Sequence, residues 1–89
     1  MKSVFTEQYK ELLKALIKAR KSASITQQDL ASRLGRPQSF VSKYEHGERR
    51  LDVVEFLFVT HAIGADPYGL LRTRDAEVSN ENSFETKWK

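Results

Sequence analysis

Gln38, Ser39, Ser42 and Lys43 stand close together in the segment QQDLASRLGRPQSFVSKYEH, residues 27–46. Their side chains offer amide, hydroxyl and ammonium groups, which suit hydrogen bonding to polar edges and phosphates rather than bond making. The surrounding charge agrees. Residues 33–50 carry Arg33, Arg36, Lys43, Arg49 and Arg50 against Glu45 and Glu48, whereas residues 51–71 carry Asp52, Glu55 and Asp66 with no Lys or Arg. A polyanion is attracted to the first block and repelled by the second. The net charge of +3 by itself equally describes an ordinary solvated surface. Catalytic chemistry has little to work with. There is no cysteine, hence no disulfide, thiolate nucleophile or Cys-ligated zinc. His46 and His61 lie apart without metal-ligand spacing, so no catalytic residue, metal or cofactor is expected.

The polar residues need an element to present them. Leu30, Ala31 and Leu34 form the apolar stripe of one short helix. Gly35 follows at once, suited to the left-handed end of that helix. Pro37 suits the first position of a new helix, where a missing N–H costs nothing. Phe40, Val41 and Tyr44 supply the second helix with its apolar positions, leaving Gln38, Ser39, Ser42 and Lys43 on other faces. The small Ala31 allows the two helices to cross closely. The layout fits a helix presented to the major groove of DNA. The same periodicity also describes an αα-hairpin that serves only packing.

The remaining chain reads as three more helices. Phe5, Tyr9, Leu12, Leu13, Leu16 and Ile17 recur at spacings of four and three, giving a first helix over about Thr6 to Lys21 with Thr6 as N-cap. Thr26 caps the second helix, about Gln27 to Leu34, and the third spans about Pro37 to His46. Asp52 caps a fourth over Val53 to Ile63, closed by Gly64. Asp66-Pro67 opens a short fifth helix to about Leu71. No segment alternates with period two. The expected fold is all-α, with five helices in one domain over residues 1–71 and a polar, mobile tail over 72–89. Nothing resembles a signal peptide or an apolar run of about 18 residues, so a cytoplasmic protein with no membrane contact is expected. With no second domain, no dedicated small-molecule sensor is expected either.

The wording ITQQDLASRLGRPQSFVSKYEHGERR resembles the lambda-repressor-like helix-turn-helix family, the Cro and Xre-type regulators. Thr26-Gln27, Leu30-Ala31, Leu34-Gly35, Val41-Ser42 and Glu45-x-Gly47 carry the likeness, which runs from about Leu12 to Leu71. It implies double-stranded DNA as partner. It implies Gln38 as the leading base contact, able to pair with adenine N6 and N7. Ser39 and Lys43 match the next base-facing positions. Lys43 reaches either guanine or a phosphate, and Ser39 reads through water or not at all. Gln27 matches a phosphate position at a helix N-terminus. Ser42 touches a phosphate or bonds back within its helix. Arg36, Arg49 and Arg50 are assigned to phosphates as a group, with His46 a further phosphate candidate. Arg20 and Glu45 match a structural ion pair that would lock helix one to helix three.

Three departures from the family pattern matter. Ser24 stands where Gly is usual, which implies a slightly strained left-handed residue. Leu51 stands where Pro is common, which implies a looser start to helix four. Phe58 replaces a polar residue. With Val53, Phe56, Val59 and Ile63 spaced to face the core, Val54, Phe58 and His61 face outward. An outward Phe is either an odd exposed residue or part of an interface. A homodimer contact through this stripe, extended by Leu70 and Leu71, is the expected use. The function that follows is a transcriptional regulator, a repressor on a palindromic operator. The alternative is an antitoxin-type or restriction-modification-controller-type protein. Its protein partner would dock on the C-terminal tail, through Phe84 and Trp88, unless that tail is a plain terminus.

Overall fold

Every described helix except α3 starts where a side chain can satisfy its free N–H groups. In the computed structural model, which describes residues 6–72, α1 (Glu7–Ser22) opens with Thr6 Oγ1 accepting from the Tyr9 N–H at 3.1 Å. α2 (Gln27–Leu34) opens with a capping box. Thr26 Oγ1 accepts from the Asp29 N–H at 3.0 Å, and Asp29 Oδ2 accepts from the Thr26 N–H at 3.1 Å. α4 (Val53–Ile63) repeats the device with Asp52 and Glu55, at 2.7 and 3.0 Å. Caps of this kind are each worth about 1 kcal/mol. α3 (Gln38–Glu45) lacks a side-chain cap. Pro37 sits one position earlier than its usual first-turn place, as the N-cap with φ −67° and ψ 155°. A fifth helix, α5, occupies residues 67–72, and no strand occurs among the described residues. Phe5, Phe84 and Trp88 lie outside the described residues, as does the tail beyond 72.

The turn between α2 and α3 depends on Gly35, at φ 69° and ψ 31°. Arg36 N–H reaches back to the Ala31 carbonyl at 3.0 Å, closing the end of α2. An added Cβ at Gly35 would meet nothing within 4 Å, so the demand is on the backbone, not on space. Ser24, between α1 and α2, takes φ 60° without being a glycine. Its N–H donates to the Lys21 carbonyl at 3.0 Å.

The core joins Leu13 and Leu16 of α1, Leu30 and Ala31 of α2, Phe40, Val41 and Tyr44 of α3, and Phe56, Val59 and Ile63 of α4. α2 is central, packing against both α3 and α4. Three expectations are corrected. Val53 does not face the core but is 73% exposed, because the inward stripe of α4 begins only at Phe56 and includes Thr60. Thr60 is fully buried, and its hydroxyl donates to the Leu57 carbonyl at 3.0 Å. Leu70 turns inward and packs against the core, so it does not extend an outward stripe. The start of α4 is not loose. The Leu51 N–H, which a proline would lack, donates to the Tyr9 hydroxyl at 3.1 Å. The Arg50 guanidinium stacks over the Tyr9 ring at 4.6 Å.

Tyr44 is the odd member of the core. Its ring is fully buried in an edge contact with Phe40, with centroids 5.7 Å apart. Its hydroxyl has no hydrogen-bond partner among the described residues. Burial accordingly raises its pKa above the usual tyrosine value. A buried, unpaired hydroxyl is a cost rather than a contribution. Tyr44→Phe is therefore expected to leave stability unchanged or to raise it by about 1 kcal/mol in chemical unfolding. A loss of similar size would show that the hydroxyl has a partner in solution.

Candidate nucleic-acid interface

The interface is assembled on a buried ion pair. Arg20, late in α1, is only 7% exposed. Its Nε donates to Glu45 Oε2 at 2.7 Å and a terminal nitrogen donates to Glu45 Oε1 at 3.0 Å, a bidentate fork. The other terminal nitrogen donates to the Ile25 carbonyl at 2.8 Å. One guanidinium thus ties α1, the α1–α2 loop and the end of α3. The bond to Glu45 raises the Arg20 pKa and outweighs desolvation, which acts the other way. Removing one half of such a pair typically costs about 3–5 kcal/mol, because the other charge is left buried.

Glu45 also orders the start of α2. Its Oε1 accepts from Gln27 Nε2 at 2.9 Å, and Gln27 Oε1 accepts from Gln38 Nε2 at 3.4 Å. The first residues of α2 and α3 are therefore linked side chain to side chain. α3 divides into two faces. Phe40, Val41 and Tyr44 are buried, while Gln38, Ser39 and Lys43 are exposed and Ser42 is half-buried beside them. His46 folds back onto α3, with Nδ1 at 2.8 Å from the Ser42 carbonyl. A carbonyl only accepts, so Nδ1 carries the proton in that contact and Nε2 points elsewhere.

The flanking arginines are not equivalent. Arg36 and Arg49 both lie against Phe40, at 4.5 and 4.9 Å from its ring centre. Arg49 donates twice to Glu55, at 2.9 and 2.8 Å, and once to the Arg50 carbonyl at 3.0 Å. Arg36 approaches the same carboxylate at 3.8 Å. Arg50 is set apart over Tyr9. Sequence spacing grouped the three, but the structure divides them between Glu55 and α1. Glu55 was not anticipated as their anchor, although the Asp52-x-x-Glu55 spacing of a capping box was legible. Arg33 was missed as well. It donates to the Ala62 carbonyl at 2.9 Å and so closes the last turn of α4. Nothing in its local sequence points to that partner.

On α4, Val54 is 57% and Phe58 61% exposed, and His61 is exposed beside them. Leu57, at 43%, widens this apolar face, and Leu71 on α5 is 41% exposed. Phe58 borders a groove of 450 Å³ between α2 and α4, lined also by Leu34, Phe40, Val59 and Ala62. No cluster of metal-ligating residues occurs among the described residues, and no described helix is long and apolar enough to cross a membrane.

Comparison with known proteins agrees with this geometry. The profile of the helix-turn-helix family matches residues 16–68. A solved structure of an XRE-family like protein from Pseudomonas syringae pv. tomato str. DC3000 is 57% identical, with a TM-score of 0.76. The match covers 79% of this chain and 85% of that one. No curated protein matches the chain.

The Glu55 anchor makes a pH-dependent contribution. Hydrogen bonds from Arg49, and then from the Asp52 N–H, lower its pKa from 4.5 to about 2. The group is charged in the folded state before it is charged in the unfolded chain. Its contribution is thus fully present above pH 4.5 and is lost as the pH falls toward 2. Glu55→Gln should lower stability at neutral pH and flatten the acid arm of the stability profile measured by thermal unfolding. A profile that keeps its wild-type slope between those limits would assign the acid sensitivity elsewhere.

Proposed function

Because the chain belongs to the XRE-type helix-turn-helix family of DNA-binding transcription regulators, we propose that it binds a palindromic operator as a homodimer and represses transcription there. The observation that carries this reading is the two-faced α3. Its buried face is packed on the core, its end is tied to α1 by the Arg20–Glu45 pair, and its polar face is exposed with arginines on its flank. α3 enters the major groove, where Gln38 reads a base edge and Ser39 and Lys43 face the next ones. Gln27, Ser42, His46, Arg36 and Arg50 meet phosphates, and Arg49 does so by sharing its guanidinium with Glu55. The DNA-binding unit takes in residues 1–71. A regulator of this kind works in the cytoplasm, where the DNA is.

The dimer uses Val54, Phe58 and His61 on α4, with Leu71 beyond them. These residues lie in the block that carries no Lys or Arg, so self-association there does not compete with phosphate. A two-fold contact on this face sets two copies of α3 about one DNA turn apart, roughly 34 Å, as a palindrome requires. Bound dimers then exclude other proteins from the operator.

Gln38→Ala should weaken binding to the selected operator by about 1–3 kcal/mol while leaving binding to random duplex almost unchanged. An equal loss on all sequences would make Gln38 a phosphate contact. Phe58→Lys should give a folded monomer that loses affinity for the full operator far more than for a half-site. Sedimentation and circular dichroism on one sample test this. A chain that unfolds would place Phe58 in the core, and one that stays dimeric would move the interface elsewhere.

A further inference from the structure

Glu55 sits beneath the arginines that flank α3. Its side chain is 13% exposed, whereas those of Arg49 and Arg36 are 40% and 45% exposed. Both terminal nitrogens of Arg49 donate to it, at 2.9 and 2.8 Å, and the Asp52 N–H donates at 3.0 Å. Arg36 stands beyond hydrogen-bond distance from the same carboxylate, at 3.8 Å. The two guanidiniums also share the Phe40 ring, at 4.5 and 4.9 Å from its centre. Two positive charges and one negative thus occupy one small site, with the negative charge innermost.

Random and selected DNA meet such a site differently. On random duplex a protein is held mainly by charge, through contacts that shift along the backbone. That binding responds to the sum, and Arg36, Arg49 and Glu55 together count as a single positive charge. On the operator, α3 is seated in the groove and the phosphates have fixed positions. There the direction of each N–H matters as well as the charge. A guanidinium holds its donors in a rigid planar fork, so fixing one edge on Glu55 sets the direction of the other.

We infer that Glu55 is a positioning residue for DNA selection: it lowers the charge that random duplex can use and keeps Arg49 aimed for the operator, and so widens the difference in affinity between the two. This rests on the reading that Arg36 and Arg49 meet phosphates. The carboxylate repels phosphate in both complexes. Only in the operator complex does the aimed fork offset that repulsion. Removing the carboxylate therefore helps random binding more than operator binding.

Glu55→Gln removes the charge and keeps a side chain able to close the capping box with Asp52. Fluorescence anisotropy of the full chain is measured over a salt series, on random duplex and on an operator selected from random sequence. In Glu55→Gln, affinity for random duplex should rise by about fivefold at low salt, the effect of one unit charge at close range in water. The slope of log affinity against log salt should steepen there by about one. Operator affinity should change much less, so the ratio of the two falls. Glu55→Asp keeps the charge and should lie far closer to wild type on random duplex, a rescue that a merely structural role of Glu55 would not produce.

Arg36→Gln and Arg49→Gln separate the two readings. If neither lowers the salt slope, the phosphate reading falls and the inference with it. If they lower it, but Glu55→Gln leaves random binding unchanged or improves both DNAs equally, the inference alone is overturned. Circular dichroism and sedimentation confirm the folding and association state of each variant. Should Glu55→Gln fail to fold, Arg49→Lys decides, because it keeps the charge without the fork. It should lower the ratio of operator to random binding, and an unchanged ratio would overturn the inference.

Discussion

The Arg20–Glu45 pair is the constraint on which the rest depends. Two charges withdrawn from water are stable only where geometry and extra hydrogen bonds offset the lost hydration. Here both carboxylate oxygens accept from one guanidinium, and the remaining guanidinium nitrogen finds the Ile25 carbonyl. The pair contributes orientation more than net stability, since an apolar pair of the same volume can pack as well. α1 cannot slide along α3 without leaving a buried charge alone. The start of α2 is held to the end of α3 through the same carboxylate. The relation of the two helices of the motif is thus fixed at both ends, by Gly35 at the turn and by Glu45 at the far side.

A second electrostatic centre does for α4 what the first does for α1. Glu55 caps its own helix and gathers Arg49 and Arg36 over Phe40. The segment after α3 is drawn back against the motif, and Leu51 is tied to Tyr9. This arrangement lowers the positive potential next to α3 below what a count of arginines suggests. It also holds those arginines in place, so the phosphate contacts proposed for them would cost less conformational entropy. The apolar face of α4 remains outside both centres, with Phe58 at the edge of a groove.

Local signals determined much of this protein. Thr6, Thr26 and Asp52 could be read as caps because a short polar side chain before an apolar stripe has a single local use. Gly35 and Gly64 could be read as helix ends because only glycine takes positive φ cheaply. The division of α3 into buried and exposed faces followed from its 3.6-residue period, and so did the all-α architecture. The family resemblance had implied the Arg20–Glu45 pair, and the tertiary structure decided the other contacts between elements. Arg49 reaches Glu55, Arg33 reaches Ala62, Leu51 reaches Tyr9 and Gln27 reaches both Glu45 and Gln38. Val53 and Leu70 show the same limit in packing. Periodicity gives the angle of a side chain around its helix but not whether a neighbouring helix extends far enough to cover it. Those answers depend on where separate helices come to rest against one another, and no spacing along the chain encodes that distance.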